Sequence, residues 1–142
     1  MKKIIQITFF IFILSFKNAY SLITVDITRG NLDPLPIAIS PLHVGKNTEK
    51  FEIFETKKLG SEISQIIESN LRSTGLFNPL KKDAFVQKPD IAHLKPRFED
   101  WRLIKAQALV TGKILIKNNK LKAEFRLWDT AATKEMIALS FT

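Results

Sequence analysis

The chain has 142 residues, of which 45% are hydrophobic and 25% charged, and its formal net charge is +8. This length and apolar content suit one folded domain with its own core and exclude an intrinsically disordered chain. The sequence contains no cysteine, which excludes disulfide bonds and cysteine-ligated metal centres. The basic balance is compatible with an acidic partner or a membrane surface, but ordinary solvation by lysines is the interpretation we favour.

Residues 1–21 have the features of a cleavable secretory signal. Lysines begin the segment, an apolar run extends from Ile4 to Phe16, and small residues precede a cleavage point after Ser21. The run is shorter than the roughly 20 apolar residues of a spanning helix, although a retained anchor is the alternative. We predict export and a mature domain of residues 22–142. Removal of three lysines with the signal lowers the net charge from +8 to +5.

The mature chain begins with patterns typical of strands. Leu22 to Thr28 alternates between apolar and polar residues, which predicts a half-buried strand at the free end of the chain. Arg29 to Pro34 is a turn cluster. Pro36 to Leu42 is a short apolar run that predicts a second, buried strand between prolines. The stretch from His43 to Glu49 is predicted to be a polar loop.

A helix is predicted from about Thr56 to Thr74, because apolar residues recur there at helical spacing. Gly75 supplies the left-handed residue that ends the helix, and Pro79 prevents its renewal. A short strand follows from Phe77 to Leu80. The residues expected to face the core are Leu59, Ile63, Ile66, Ile67, Asn70 and Leu71.

The sequence of residues 81–105 indicates little regular structure. Lys81 to Arg97 is polar and interrupted by prolines, so we expect a loop with room for one helical turn. Phe98 to Lys105 is predicted to be a short second helix. Phe98, Trp101 and either Leu103 or Ile104 are expected to cover one face of the sheet.

The last third predicts an antiparallel meander of three strands, Ala108–Lys117, Lys120–Trp128 and Met136–Thr142. Asn118-Asn119 suits the positive φ angles of a tight hairpin turn. The residues expected to face inward on the second strand are Leu121, Ala123, Phe125 and Leu127, and Ile137, Leu139 and Phe141 share one side of the third. The residues of the first strand expected to face outward are Thr111, Lys113 and Lys117. Together these elements predict an α/β fold of the α+β type, with a mixed, mostly antiparallel sheet of about five strands flanked by two helices.

No recognisable catalytic, cofactor or metal constellation occurs in the sequence. His43 and His93 lie in polar segments without a neighbouring set of ligands. Thr111-Gly112-Lys113 lacks the upstream glycine of a phosphate-binding loop and falls within a strand. We therefore expect a non-enzymatic protein without cofactor, metal or small-molecule substrate, and an exported enzyme is a further alternative.

Two aromatic features have ordinary structural interpretations. The basic and aromatic residues between Lys95 and Lys105 could bind nucleic acid, but they equally form one amphipathic helix, and export argues against a nucleic-acid partner. Trp101 and Trp128 are more typical of a core or its rim than of a ligand platform.

The order of these segments resembles the amino-terminal domain of TolB, the periplasmic component of the Tol-Pal envelope system. The most specific part is the helix-to-strand string from Leu59 to Leu80, above all Leu71-Arg72-Ser73-Thr74-Gly75-Leu76-Phe77-Asn78-Pro79-Leu80. Further segments that resemble the family are Ile23–Gly30, Pro36–Leu42, Ala108–Ile114 and Glu124–Asp129. The resemblance implies a mixed sheet flanked by helices and joined to a carboxy-terminal propeller.

The resemblance also implies a function in envelope integrity and cell division. In the family, the mature amino-terminal segment binds the inner-membrane protein TolA, and the propeller binds the lipoprotein Pal. The corresponding residues here are Leu22, Ile23, Thr24, Val25, Asp26, Ile27, Thr28, Arg29, Gly30, Asn31, Leu32 and Asp33. The segment could equally be a permanent edge of the domain's own sheet.

One departure from the family is large. The sequence ends at Thr142, before any propeller and before the last helix of the family's first domain, so Pal binding is not expected. The leading hypothesis is a periplasmic binding module that engages a TolA-like inner-membrane protein. The alternative is a truncated product without independent activity.

Overall fold

A computed structural model describes residues 33–45, 56–118 and 120–142 of the chain. The predicted strand Leu22–Thr28 lies outside the described residues. The strands are β1 (Leu35–Ile39), β2 (His43–Val44), β3 (Phe77–Pro79), β4 (Ala108–Lys117), β5 (Lys120–Asp129) and β6 (Lys134–Phe141). The α-helices are α1 (Thr56–Ser73), α2 (Pro89–Ala92) and α3 (Phe98–Leu103), with a 3-10 turn at Lys82–Ala84. Within these ranges no helix is both long and apolar enough to cross a membrane.

The strands form one mixed sheet in the order β3-β1-β4-β5-β6, and β2 pairs with β4 beyond the end of β1. The pairs that involve β1 and β2 are parallel, whereas β4, β5 and β6 form the antiparallel meander that the alternating sequence predicts. Parallel pairing of β1 with β3 follows from α1, which provides the crossover that such a pair requires. The predicted α+β fold class is confirmed.

Helix α1 covers one face of the sheet through a row of residues spaced by four. Leu59 and Ile63 pack near Leu42 and Ile114, and Ile67 and Leu71 pack beside β1. The predicted stripe was too wide, because Ile66 is 60% exposed and Asn70 is also exposed. Consecutive helical residues point about 100° apart, so a helix seated on the row that contains Ile67 leaves Ile66 at its flank.

The start of α1 is held against the connection between β1 and β2. The amide of Leu42 donates a hydrogen bond to the carbonyl of Gly60 across 3.0 Å. A Cβ atom at Gly60 would overlap the carbonyl oxygen of Leu42, so only glycine allows this approach. The predicted strand Pro36–Leu42 therefore stops at Ile39, since the chain turns there to meet the helix.

The prediction of a loop from His43 onwards was also wrong for its first two residues. His43 and Val44 form β2 because they pair with Lys113 and Ile114 of β4. This pairing extends β4 beyond the end of β1. A strand of two residues is too short to show periodicity, so the local sequence carries no signal for it.

The opposite face of the sheet is covered by α3 and its neighbouring loops. Trp101 is 1% exposed and packs with Leu109 and Trp128, and Phe98 and Ile104 pack against the same cluster. Both tryptophans are thus core residues, as predicted. Of the two apolar residues at the end of the helix, Ile104 contributes to the core, since Leu103 is 81% exposed.

Thr111 was predicted to face solvent, and this was wrong. Its side chain is 1% exposed, and its hydroxyl accepts a hydrogen bond from the indole N–H of Trp128 at 2.9 Å. The reason is tertiary, because α3 and the preceding loop bury the face of β4 that alternation alone assigns to solvent.

The two turns of the meander have backbone angles and hydrogen bonds that fit the residues found there. Asn118 adopts a positive φ of 51°, as predicted for the hairpin between β4 and β5. The carboxylate of Asp129 accepts hydrogen bonds from the amides of Ala131 and Ala132, and the hydroxyl of Thr130 donates to the carbonyl of Ala106. The second turn is thereby joined to the end of α3.

Candidate protein-interaction surface

An apolar groove lies beside α1. The apolar clusters beneath α1 contain residues of β1, β4 and β5, whereas the apolar side chains of β6 remain exposed. The resulting groove has a volume of about 420 Å³ and, apart from Arg126, an apolar lining. Residues that define it are Leu35, Leu71, Leu127, Met136, Ile137 and Leu139.

The floor of this groove is the apolar side of β6. Ile137, Leu139 and Phe141 share that side, as predicted, but they are 50–58% exposed. Phe141 makes an edge-to-face contact with Phe125, with ring centroids 6.0 Å apart. Contiguous exposed apolar surface of this kind is typical of a place where another segment or protein packs. The sequence predicted the shared side but not its exposure.

The groove suits binding rather than chemistry. Its lining offers no carboxylate, imidazole, thiol or hydroxyl, and the one charged group, Arg126, forms an ion pair with Glu135 at 3.5 Å. An apolar lining can bury apolar side chains of a partner, but it supplies neither a proton donor nor a nucleophile.

Of the twelve predicted partner-binding residues, Leu22 to Leu32 lie outside the described residues. Asp33 is described and is exposed, as is Pro34 after it. The next residue, Leu35, begins β1 and lines the apolar groove. Asp33, the one described residue of the predicted segment, therefore lies at the surface, two residues before a residue that lines the groove.

The two histidines that the sequence left in separate polar segments lie together in the fold. The rings of His43 and His93 are stacked, with centroids 4.2 Å apart and planes inclined by 7°. Atom Nδ1 of His93 is 3.0 Å from the carbonyl oxygen of Pro89. The pairing depends on β2 and the end of α2 meeting over β4, which no local pattern predicts. In the described part of the chain no group of three potential metal ligands occurs.

A small cluster of charges lies beside these rings. Glu124 forms ion pairs with Lys113 at 3.1 Å and with Lys122 at 2.9 Å. The hydrogen bonds from Lys122 and then from Lys113 lower the pKa of the Glu124 carboxyl below its usual value of 4.5. A carboxylate held between two lysines in this way is a structural ion pair rather than a proton donor.

The fold and its surface define an α/β domain with an apolar groove, and no group of three potential metal ligands occurs among the described residues. The chain matches the protein family described as the TolB amino-terminal domain over residues 23–136. It belongs to that family, which confirms the resemblance seen in the helix-to-strand string.

A curated relative supports this assignment. The chain is 59% identical over 141 residues to the Tol-Pal system protein TolB of Pelagibacter ubique strain HTCC1062. The match covers 98% of this chain and 32% of the relative, so the chain spans about a third of the length of that protein.

Solved structures show the same fold. TolB from Acinetobacter baumannii matches with a TM-score of 0.54 at 17% identity, over 78% of this chain and 23% of that one. The LpoB carboxy-terminal domain from Escherichia coli matches with a TM-score of 0.54 at 11% identity, over 79% of this chain and 84% of that one. Identities this low indicate the architecture alone, because one fold serves proteins with different functions.

Proposed function

We propose that this chain is a non-enzymatic periplasmic module of the Tol-Pal system that engages a TolA-like inner-membrane protein through residues 22–33. Membership in the TolB amino-terminal domain family, over residues 23–136, is the observation that carries the proposal. The name of the curated relative, Tol-Pal system protein TolB, supports the assignment to this system.

The sequence of the segment fits strand addition to a partner's sheet. Ile23, Val25 and Ile27 alternate with polar residues, so main-chain hydrogen bonds can supply affinity while alternate side chains fill pockets. The exposure of Asp33 and Pro34 supports this, because the start of the described domain is within reach of a second protein.

The test is binding to the carboxy-terminal domain of a TolA partner, measured by calorimetry. Proline has no amide hydrogen and cannot serve inside a paired strand, so Val25→Pro should abolish binding. Thr24→Ala, on the opposite face of the segment, is the matched control and should bind nearly as well as the wild type. A variant lacking residues 22–33 should keep its circular dichroism spectrum and lose binding. Undiminished affinity in this folded variant would refute the proposal.

Export has its own test. Cleavage after Ser21 should give a periplasmic chain that begins at Leu22, as read by amino-terminal sequencing. A chain that keeps Met1 and fractionates with membranes would instead indicate a retained anchor.

The alternative, a product without independent activity, makes the opposite prediction in the same assay. Such a chain would show cooperative unfolding but no measurable heat of binding with the TolA domain. Binding that depends on Val25 would exclude it.

A further inference from the structure

We draw no further inference here: the strongest candidate, the apolar groove beside α1 whose floor is the exposed side of β6, has nothing in the described structure to show what covers it.

Discussion

The indole N–H of Trp128 donates a hydrogen bond to the hydroxyl of Thr111 across 2.9 Å, between the neighbouring strands β4 and β5. Thr111 is 1% exposed and Trp128 is 9% exposed, so the bond lies within the core beneath α3. A buried polar group without a partner is costly, and this bond satisfies both groups at once.

Thr111→Val should therefore destabilise the domain by about 1–3 kcal/mol, because it leaves the indole N–H of Trp128 without an acceptor. Urea unfolding monitored by tryptophan fluorescence measures the change. Thr111→Ser keeps the hydroxyl and is the matched control. If the valine variant were as stable as the serine variant, the hydrogen bond would make no measurable contribution to the free energy of unfolding.

The exposed and buried sides of α1 should respond differently to truncation. Leu59→Ala removes buried contacts with Leu42 and Ile114 and should cost about 2–5 kcal/mol. Ile66→Ala changes a side chain that is 60% exposed and should cost less than about 1 kcal/mol. Denaturant midpoints of the two variants give the comparison. Equal losses would show that α1 is rotated relative to the sheet.

Gly60→Ala should destabilise the domain, although alanine normally stabilises a helix interior relative to glycine by about 0.5–1 kcal/mol. The new Cβ atom would overlap the carbonyl oxygen of Leu42 and force α1 away from the sheet, at a cost of about 1–3 kcal/mol. Ser69→Ala, at an exposed position of the same helix, controls for helix propensity. A gain of stability in the Gly60 variant would contradict the close approach.

The contribution of Glu124 to stability should depend on pH. Its pKa is lowered in the folded state by Lys122 and Lys113, so the stabilisation is present above the usual carboxyl pKa of 4.5. It is lost as the pH falls through the lower folded value, because the unfolded chain then binds the proton more readily. The difference in unfolding free energy between wild type and Glu124→Gln should therefore shrink from pH 7 to pH 3. A constant difference would show that the ion pairs contribute no pH dependence.

The sequence predicted the elements whose signals are local. The spacing of Leu59, Ile63 and Leu71 indicated α1, and the alternation from Lys120 to Trp128 indicated β5. Gly75, with a φ of 71°, ends α1 as its sequence position suggested. These predictions succeed because helix caps, tight turns and periodic burial depend on residues only a few positions apart.

The predictions that failed concern burial, which depends on which helices and loops pack on each face of the sheet. The alternation along β4 correctly placed Thr111 on the opposite face of the sheet from Val110. Only the packing of α3 on that face decides that Thr111 is buried as well. The same reason explains Ile137, whose apolar side was predicted while its exposure was not.

The amino-acid sequence by itself indicated the family, the helices α1 and α3 and the three strands of the meander, and it shows no recognisable catalytic motif. Only the tertiary structure decided that Gly60 meets Leu42, that His43 stacks on His93, and that Thr111 is buried. Contacts of this kind join residues far apart in the chain. They arise from the way α1 and α3 occupy the two faces of the sheet, which periodicity along one segment does not encode.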